Sequence, residues 1–134
     1  MKPLETDEEF LLSLSDLVTT LNQESDKGAL VVVEGKRDAR ALSILGFRGE
    51  SLMLCNNHSV LDLAEKAVNY NKVILLFDFD RTGRYLTRKA ASLLERRSKI
   101  DLNCRRRLRM ASHGRIRYIE ELGRFGEHLS SFYQ

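Results

Sequence analysis

Short apolar runs separated by segments of helical periodicity constrain the fold of this 134-residue chain more than any other feature. The runs lie at 29–33, 52–54 and 73–77, and the first and third are continuous and rich in β-branched residues. Such runs are typical of strands buried on both faces of a sheet. Apolar and polar residues alternate over 100–104, which predicts a fourth strand in a less covered position. This order predicts an α/β domain with about four mainly parallel strands.

Helical spacing of apolar residues predicts the elements that flank this sheet. An amphipathic N-terminal helix should follow a capping box formed by Thr6 and Glu9 and end before Gly28. We expect its apolar stripe to pack on the main domain. A second use, contact with a protein partner or with another copy of the chain, stays open. Further helices are predicted over 37–45, 59–68, 83–98 and 119–132.

Length and composition favour one domain of ordinary size. We divide the chain into an N-terminal helical extension (1–27), a domain (28–122) and a C-terminal tail or helix (123–134). No apolar run exceeds five residues, far short of the roughly 20 that span a bilayer. The first ten residues are acidic where a signal peptide is basic and then apolar. We therefore expect a soluble, cytoplasmic protein with no membrane partner.

Several common site motifs are missing from the sequence. The two cysteines, Cys55 and Cys104, lack the spacing of a disulfide framework or a zinc site, and we interpret both as ordinary buried or half-buried thiols. The chain has neither a GxGxxG nor a Walker motif, which disfavours a nucleotide-binding metabolic enzyme. A phosphate-binding enzyme on a similar scaffold stays open, because fold alone does not decide function.

The net charge of +3 conceals a strong asymmetry along the chain. Residues 1–80 contain 8 basic and 14 acidic side chains, whereas residues 81–134 contain 14 basic and 5 acidic ones. Most of the basic residues, 15 of 22, are arginines, which suit forked contacts with phosphate. This imbalance indicates contact with a polyanion, although a solvated helix face would produce a similar count.

Carboxylates follow two of the predicted strands directly. Glu34 comes after the first strand, and Asp78 and Asp80 come after the third. Ligands of open parallel sheets bind outside the carboxyl ends of the strands, so these acids should converge. Asp78 and Asp80 would share one hard cation if the chain stays extended, and oxygen ligands favour Mg²⁺, with Mn²⁺ as a substitute. Each acid taken alone is also compatible with a helix cap, since Asp80 precedes a predicted helix.

Two motifs around these acids resemble the Toprim domain family. They read VVVEGKRD over 31–38 and LLFDFDRTG over 75–83, and 44 residues separate Glu34 from Asp78. The family includes topoisomerases, bacterial-type primases, overcoming-lysogenisation-defect nucleases, recombination mediators and the ribonucleases that mature five-S ribosomal RNA. The resemblance covers about residues 28 to 122. It implies a compact Toprim or Rossmann-like fold and a Mg²⁺-dependent site.

The resemblance also implies roles for single residues. Glu34 matches the family's glutamate, expected to act as general acid or base and to lie at the metal, and Asp78 and Asp80 match its metal-binding aspartates. In several topoisomerase and nuclease members a further acid follows. This chain has Thr82 and Arg84 nearby, so the match does not extend to a full second metal site. The flanking domains of topoisomerases and primases have no counterpart here, and we expect a small stand-alone Toprim protein.

The first functional hypothesis is a Mg²⁺-dependent nuclease that hydrolyses RNA or DNA. Gly35 and Gly83 would permit tight turns and close approach to a phosphate. Positions 81, 84 and 88 fall along one side of a predicted helix near the site. The expected phosphate-binding residues are Lys36, Arg81, Arg84, Arg88, Arg105, Arg106, Arg107 and Arg109, with Arg115 and Arg117 as further basic surface.

The alternative hypothesis is a non-catalytic module that binds nucleic acid, alone or in a larger complex. In that case the N-terminal helix would dock a protein partner, and the missing third acid would be expected. Tyr85, Tyr118 and Phe125 lie among basic residues and have two interpretations. They would stack on bases or pack in the core, and we favour the core for each.

Overall fold

A computed structural model of the protein describes residues 2–54 and 59–132. Within these residues, four parallel strands form one sheet in the order β2-β1-β3-β4. The strands are β1 (Ala29–Val33), β2 (Ser51–Met53), β3 (Lys72–Leu75) and β4 (Ile100–Asp101). Val32 of β1 is in register with Leu52 of β2 and with Leu75 of β3. The α/β fold with four parallel strands is therefore confirmed.

Helices connect the strands and cover both faces of the sheet. The α-helices are α1 (Glu8–Asp26), α2 (Lys36–Ile44), α3 (Val60–Ala67), α4 (Arg81–Leu94), α5 (Asn103–Ala111) and α6 (Gly126–Ser130). The 3-10 helix Leu4–Thr6 precedes α1, and a second one, Ile119–Phe125, directly precedes α6; we call the second the closing 3-10 helix. None of the helices in the described residues is both long and apolar enough to cross a membrane.

The central strands divide their side chains between two hydrophobic layers, which explains their continuous apolar runs. Val31, Val33 and Ile74 face a layer built from α1, α2, α5, α6 and the closing 3-10 helix. Leu30 and Val32 face the opposite layer, built from α3 and α4. Because successive strand residues point to opposite faces, a strand covered on both sides needs apolar residues throughout.

The apolar stripe of α1 packs inside the molecule, as expected. Phe10, Leu14 and Leu21 are each at most 1% exposed. This stripe is therefore not available to a protein partner, and contact of α1 with a partner or with a second copy of the chain stays a prediction. The division into segments 1–27, 28–122 and 123–134 stays a prediction, although residues of all three pack in the same layer.

Several local predictions are wrong at their edges. The N-cap of α1 is Asp7, whose carboxylate accepts a hydrogen bond from the Phe10 amide, because Thr6 closes the preceding 3-10 turn. The fourth strand ends at Asp101, whose carboxylate accepts the Cys104 amide at 2.9 Å and so starts α5. Cys104 is a buried free thiol, as interpreted, and Cys55 lies outside the described residues.

Candidate functional site

Three carboxylates meet at the carboxyl edge of the sheet. Glu34 follows β1, and Asp78 and Asp80 follow the neighbouring strand β3. One oxygen from each side chain lies within 4.8 Å of the other two, and all three residues are half-buried. The parallel pairing of β1 with β3 produces this meeting, because both strands end at the same edge. We call these three residues the acidic cluster.

Backbone amides orient each member of the acidic cluster. The amide of Asp78 donates a hydrogen bond of 2.6 Å to Oε2 of Glu34. Oδ1 of Asp78 accepts the Ile119 amide at 2.7 Å. Oδ1 of Asp80 accepts the Gly83 amide at 2.7 Å, which makes Asp80 the N-cap of α4. Asp80 thus caps a helix and belongs to the cluster at once, and the two interpretations do not compete.

The cluster holds negative charge in a poorly solvated place. The pKa of Glu34 is raised to about 7, chiefly by burial; the hydrogen bond from the Asp78 amide lowers it, and the charges of Asp78 and Asp80 raise it. Burial also raises the pKa of Asp78, with Asp80 contributing. Both shifts mean that the ionised forms are disfavoured without a nearby cation. The arrangement therefore favours either bound protons or a bound metal ion.

Asp38 is a fourth acid at this edge to which the sequence analysis assigned no role. It is 6% exposed, and its carboxylate accepts the amide of Gly35 at 3.1 Å and the amide of Glu120. Burial, followed by the charge of Asp78, raises its pKa to about 6. An acid at the third position of a helix often bonds the N-cap amide, and this signal could have identified it.

The structure explains why glycine is needed at one of the two motif positions, Gly83, but not at the other, Gly35. A Cβ at Gly83 would overlap the carbonyl oxygen of Asp78 and lie 2.5 Å from its carbonyl carbon. Only glycine therefore lets α4 pack directly on the backbone that carries Asp78. Gly35 has φ −147°, an extended conformation that any residue adopts, so its conformation does not explain a glycine.

Arg105 lies behind the acidic cluster rather than on an open surface. Its Nε donates to the carbonyl oxygen of Phe77 at 2.9 Å, and its Nη2 donates to that of Asp78 at 2.7 Å. The guanidinium also lies 4.7 Å from the ring centroid of Phe79. Burial lowers the pKa of Arg105, while the charges of Glu34 and Asp78 raise it. The side chain thus holds in place the backbone segment that follows β3 and carries Asp78.

The arginines at 105–107 and 109 were predicted to bind phosphate together, but they do not share one surface. Because a helix turns by about 100° per residue, Arg105, Arg106 and Arg107 point in three directions. Arg106 and Arg109 are exposed, whereas Arg107 is half-buried and donates to Oγ1 of Thr20 at 3.3 Å. Separately, Arg115 forms an ion pair of 3.7 Å with Asp7 and joins the N-terminal segment instead of an open basic surface.

Helix α4 presents the basic face that its spacing predicted. Arg81, Arg84 and Arg88 are all exposed, and the face begins directly after Asp80. Nη1 of Arg84 also donates to the carbonyl oxygen of Phe79 at 3.2 Å. Lys36 is exposed as the first residue of α2. Cations therefore lie on two elements that start at the same sheet edge as the acidic cluster.

Of the three aromatic residues that were expected in the core, one is buried and two are exposed. Phe125 is fully buried, as expected, and its ring packs edge-on against Phe10 with 5.1 Å between centroids. Tyr85 is 52% exposed and Tyr118 is 39% exposed, so the core interpretation is wrong for both.

A segment near the C-terminus closes the site, and sequence periodicity did not reveal this role. The carbonyl oxygen of Arg117 accepts the Phe79 amide at 2.8 Å, and the Ile119 and Glu120 amides bond two of the site's acids. Apolar spacing over 119–132 predicts one helix, and the structure has a 3-10 helix and then α6 there, but residue spacing carries no signal for amides that bond distant acids. The position of this segment becomes visible only when the chain is folded.

With the acids, glycines and arginines placed, comparison with known proteins decides the family. A family model described as the Toprim domain matches residues 29–112, more than half of the chain. The chain belongs to the Toprim family. Toprim domains bind divalent metal through acidic residues and are associated with nucleic acid, and this Toprim chain contains such a cluster.

Relatives of similar size support this assignment. A UPF0292 protein of Methanosarcina barkeri is 33% identical over 124 residues, which cover 91% of this chain and 86% of the relative. A UPF0292 protein of Thermococcus gammatolerans is 42% identical over 100 residues, covering 72% and 71%. A solved structure of an Aquifex aeolicus protein superposes with a TM-score of 0.68 at 31% identity, covering 81% of this chain and 96% of that one.

Proposed function

We propose that this Toprim protein is a Mg²⁺-dependent nuclease that hydrolyses phosphodiester bonds of RNA or DNA. The observation that carries the proposal is the convergence of Glu34, Asp78 and Asp80 within 4.8 Å at the sheet edge where α4 begins its arginine face. Acids arranged in this way attract a cation, and the arginines beside them attract phosphate.

The donor set of the acidic cluster fits a hard divalent ion. All three side chains offer carboxylate oxygens, which Mg²⁺ prefers and Mn²⁺ accepts. Asp78 and Asp80 would hold the ion, with Glu34 as the third acid. When bound, the ion supplies positive charge that neutralises the scissile phosphate. The raised pKa values of Glu34 and Asp78 support the same assignment, because burial and, to a smaller extent, mutual repulsion disfavour the ionised acids, and a bound cation would offset both effects.

The chain's own residues would perform the remaining tasks. Glu34 would act as the general acid or base, because its half-buried carboxyl group lies within 4.8 Å of Asp78 and Asp80 and burial raises its pKa from the usual value. Arg81, Arg84 and Lys36 are exposed at the same edge and would bind the phosphates that flank the cleaved bond. Gly83 keeps α4 close enough to bring its arginines to the cluster.

The test uses the purified chain with Mg²⁺ or Mn²⁺ and a panel of single-stranded and duplex RNA and DNA. We expect cleavage of at least one substrate, lost with chelator and lost in Glu34→Gln and Asp80→Asn. Glu65→Gln, an exposed acid on α3, is the matched control and should keep activity. No cleavage of any substrate, or cleavage that survives both substitutions, would overturn the proposal.

A second candidate is the non-catalytic binding module, which one observation favours. Where several topoisomerase and nuclease members have a further acid after the aspartate pair, the nearby residues of this chain are Thr82 and Arg84, both exposed on α4. That module should bind nucleic acid with an affinity that falls steeply with salt and does not change with Mg²⁺. Binding that is equal in wild type and Glu34→Gln, without cleavage by either, would favour this candidate.

A further inference from the structure

Two exposed tyrosines lie on different elements that begin at the same sheet edge as the acidic cluster. Tyr85 is on α4, and Tyr118 directly precedes the closing 3-10 helix. Each ring has a cation next to it: Nζ of Lys89 lies 5.6 Å from the Tyr85 centroid, and Cζ of Arg117 lies 5.6 Å from the Tyr118 centroid. Exposed rings interleaved with cations are typical of surfaces that bind unpaired nucleotides.

Tyr118 is attached to the rim of the acidic cluster by its own backbone. The amide nitrogen of Ile119 lies 2.7 Å from Oδ1 of Asp78. That nitrogen is two bonds from the Cα of Tyr118, so this Cα lies within about 5 Å of the carboxylate oxygen. A phosphate at the cluster therefore places its own nucleotide within reach of the Tyr118 ring.

Tyr85 lies in the middle of the arginine face of α4. Residues 81, 84, 85 and 88 share one side of the helix, since they are spaced at three and four residues. The face extends about 10 Å from Arg81 to Arg88, at 1.5 Å per residue. A turn of duplex is about 34 Å long, so this face is long enough for only a few nucleotides.

We propose that the nucleic acid crosses the acidic cluster as an unpaired strand, with bases stacked on Tyr85 and Tyr118. This inference rests on the proposed function, because it assumes that nucleic acid reaches the cluster. A paired base already stacks on its neighbours within the duplex and offers the rings no free face. A single strand covers both rings and still presents its phosphates to Arg81, Arg84 and Arg88.

The test measures binding separately from cleavage. Fluorescence anisotropy with Mg²⁺ compares short single-stranded RNA and DNA with duplexes of the same sequences, and every protein carries Glu34→Gln so that the strands stay intact. Gel analysis checks their integrity. We expect tighter binding to single strands than to duplexes, and the ratio of the RNA and DNA affinities identifies the preferred sugar.

Substitutions on this background test the two rings. Stacking of one base on an aromatic ring corresponds to about 5- to 150-fold in affinity, so Tyr85→Ala and Tyr118→Ala should each weaken single-strand binding within that range. Tyr118→Phe keeps the ring and should bind within about twofold of the parent. Leu93→Ala is the control, because Leu93 is 40% exposed near the far end of α4.

Two results would overturn the inference without touching the nuclease proposal. One is equal binding of single strands and duplexes by the parent, and the other is unchanged single-strand affinity in both alanine variants. Conversely, tight single-strand binding that depends on both rings supports the inference even if the wild type cleaves nothing. The two failures are therefore distinguishable.

Discussion

Replacing Arg105 by methionine removes two hydrogen bonds that hold the segment after β3, to the carbonyl oxygens of Phe77 and Asp78 at 2.9 and 2.7 Å. Methionine keeps much of the side-chain volume and its contact with Phe79 but donates no hydrogen bond. The substitution therefore tests the guanidinium itself. We predict that the backbone carrying Asp78 loosens and that the whole domain becomes less stable.

The magnitude follows from the two bonds. Hydrogen bonds from a charged donor contribute about 1.5–3 kcal/mol each, which gives about 3–6 kcal/mol for the pair. Removing a half-buried charge recovers part of this, since burial also disfavours the guanidinium. The expected decrease in the free energy of unfolding is therefore about 2–4 kcal/mol.

Arg106→Met is the matched control for this experiment. It makes the same change of charge and volume on the same helix, but Arg106 is exposed and should change the free energy of unfolding by less than about 0.5 kcal/mol. Urea denaturation followed by circular dichroism measures both variants. Amide hydrogen exchange of Asp78 and Ile119 then reports on the cluster directly, because these amides bond Glu34 and Asp78.

Equal urea midpoints for Arg105→Met and Arg106→Met would refute this reasoning. So would a destabilised Arg105→Met protein in which the two amides lose no more protection than the rest of the chain. In the first case the two bonds would make no net contribution to stability. In the second, Arg105 would stabilise the fold without positioning the acidic cluster.

Three further predictions concern the same edge of the sheet. Gly83→Ala should lower the melting temperature strongly, because the new Cβ would lie 2.5 Å from the carbonyl carbon of Asp78. Gly123→Ala is the control and should not lower it, because a Cβ there meets nothing closer than 3.7 Å. Equal melting temperatures of the two variants would contradict this prediction. With chelator present, the melting temperature should fall as pH rises from about 4.5 to about 7. The pKa of Glu34 is raised, so the folded chain keeps a proton that the unfolded chain releases in this range. Glu34→Gln should flatten this dependence of the melting temperature on pH. Asp38→Asn should also reduce the fall, measured between pH 4 and 6, because the pKa of Asp38 is raised to about 6; an unchanged profile would show that Asp38 titrates normally.

The strands and the cluster acids were largely predictable from residues close together in the chain. A continuous run such as 29–33 or 73–77 suits a strand covered on both faces, whatever the rest of the molecule does. Acids that directly follow two neighbouring parallel strands must meet, because those strands end at one edge. This is why Glu34, Asp78 and Asp80 could be named together without a structure.

Other features depend on contacts between distant parts of the chain. Arg105 follows a segment expected to be a strand, and only the start of α5 at Asn103 turns its guanidinium toward Phe77, 28 residues away. The Ile119 amide reaches Asp78 across 41 residues, a contact that the apolar spacing of its own segment does not predict.

Local spacing by itself determined where the strands lie and that acids follow two of them. A strand buried on both faces needs a continuous run of apolar residues, and such a run is visible in the sequence. The tertiary structure decided which arginine and lysine side chains are exposed and which form hydrogen bonds within the protein, because that depends on how each helix is rotated against the sheet. It also decided that Tyr85 and Tyr118 are exposed rather than buried. Their position follows from packing between elements, which no short stretch of residues encodes.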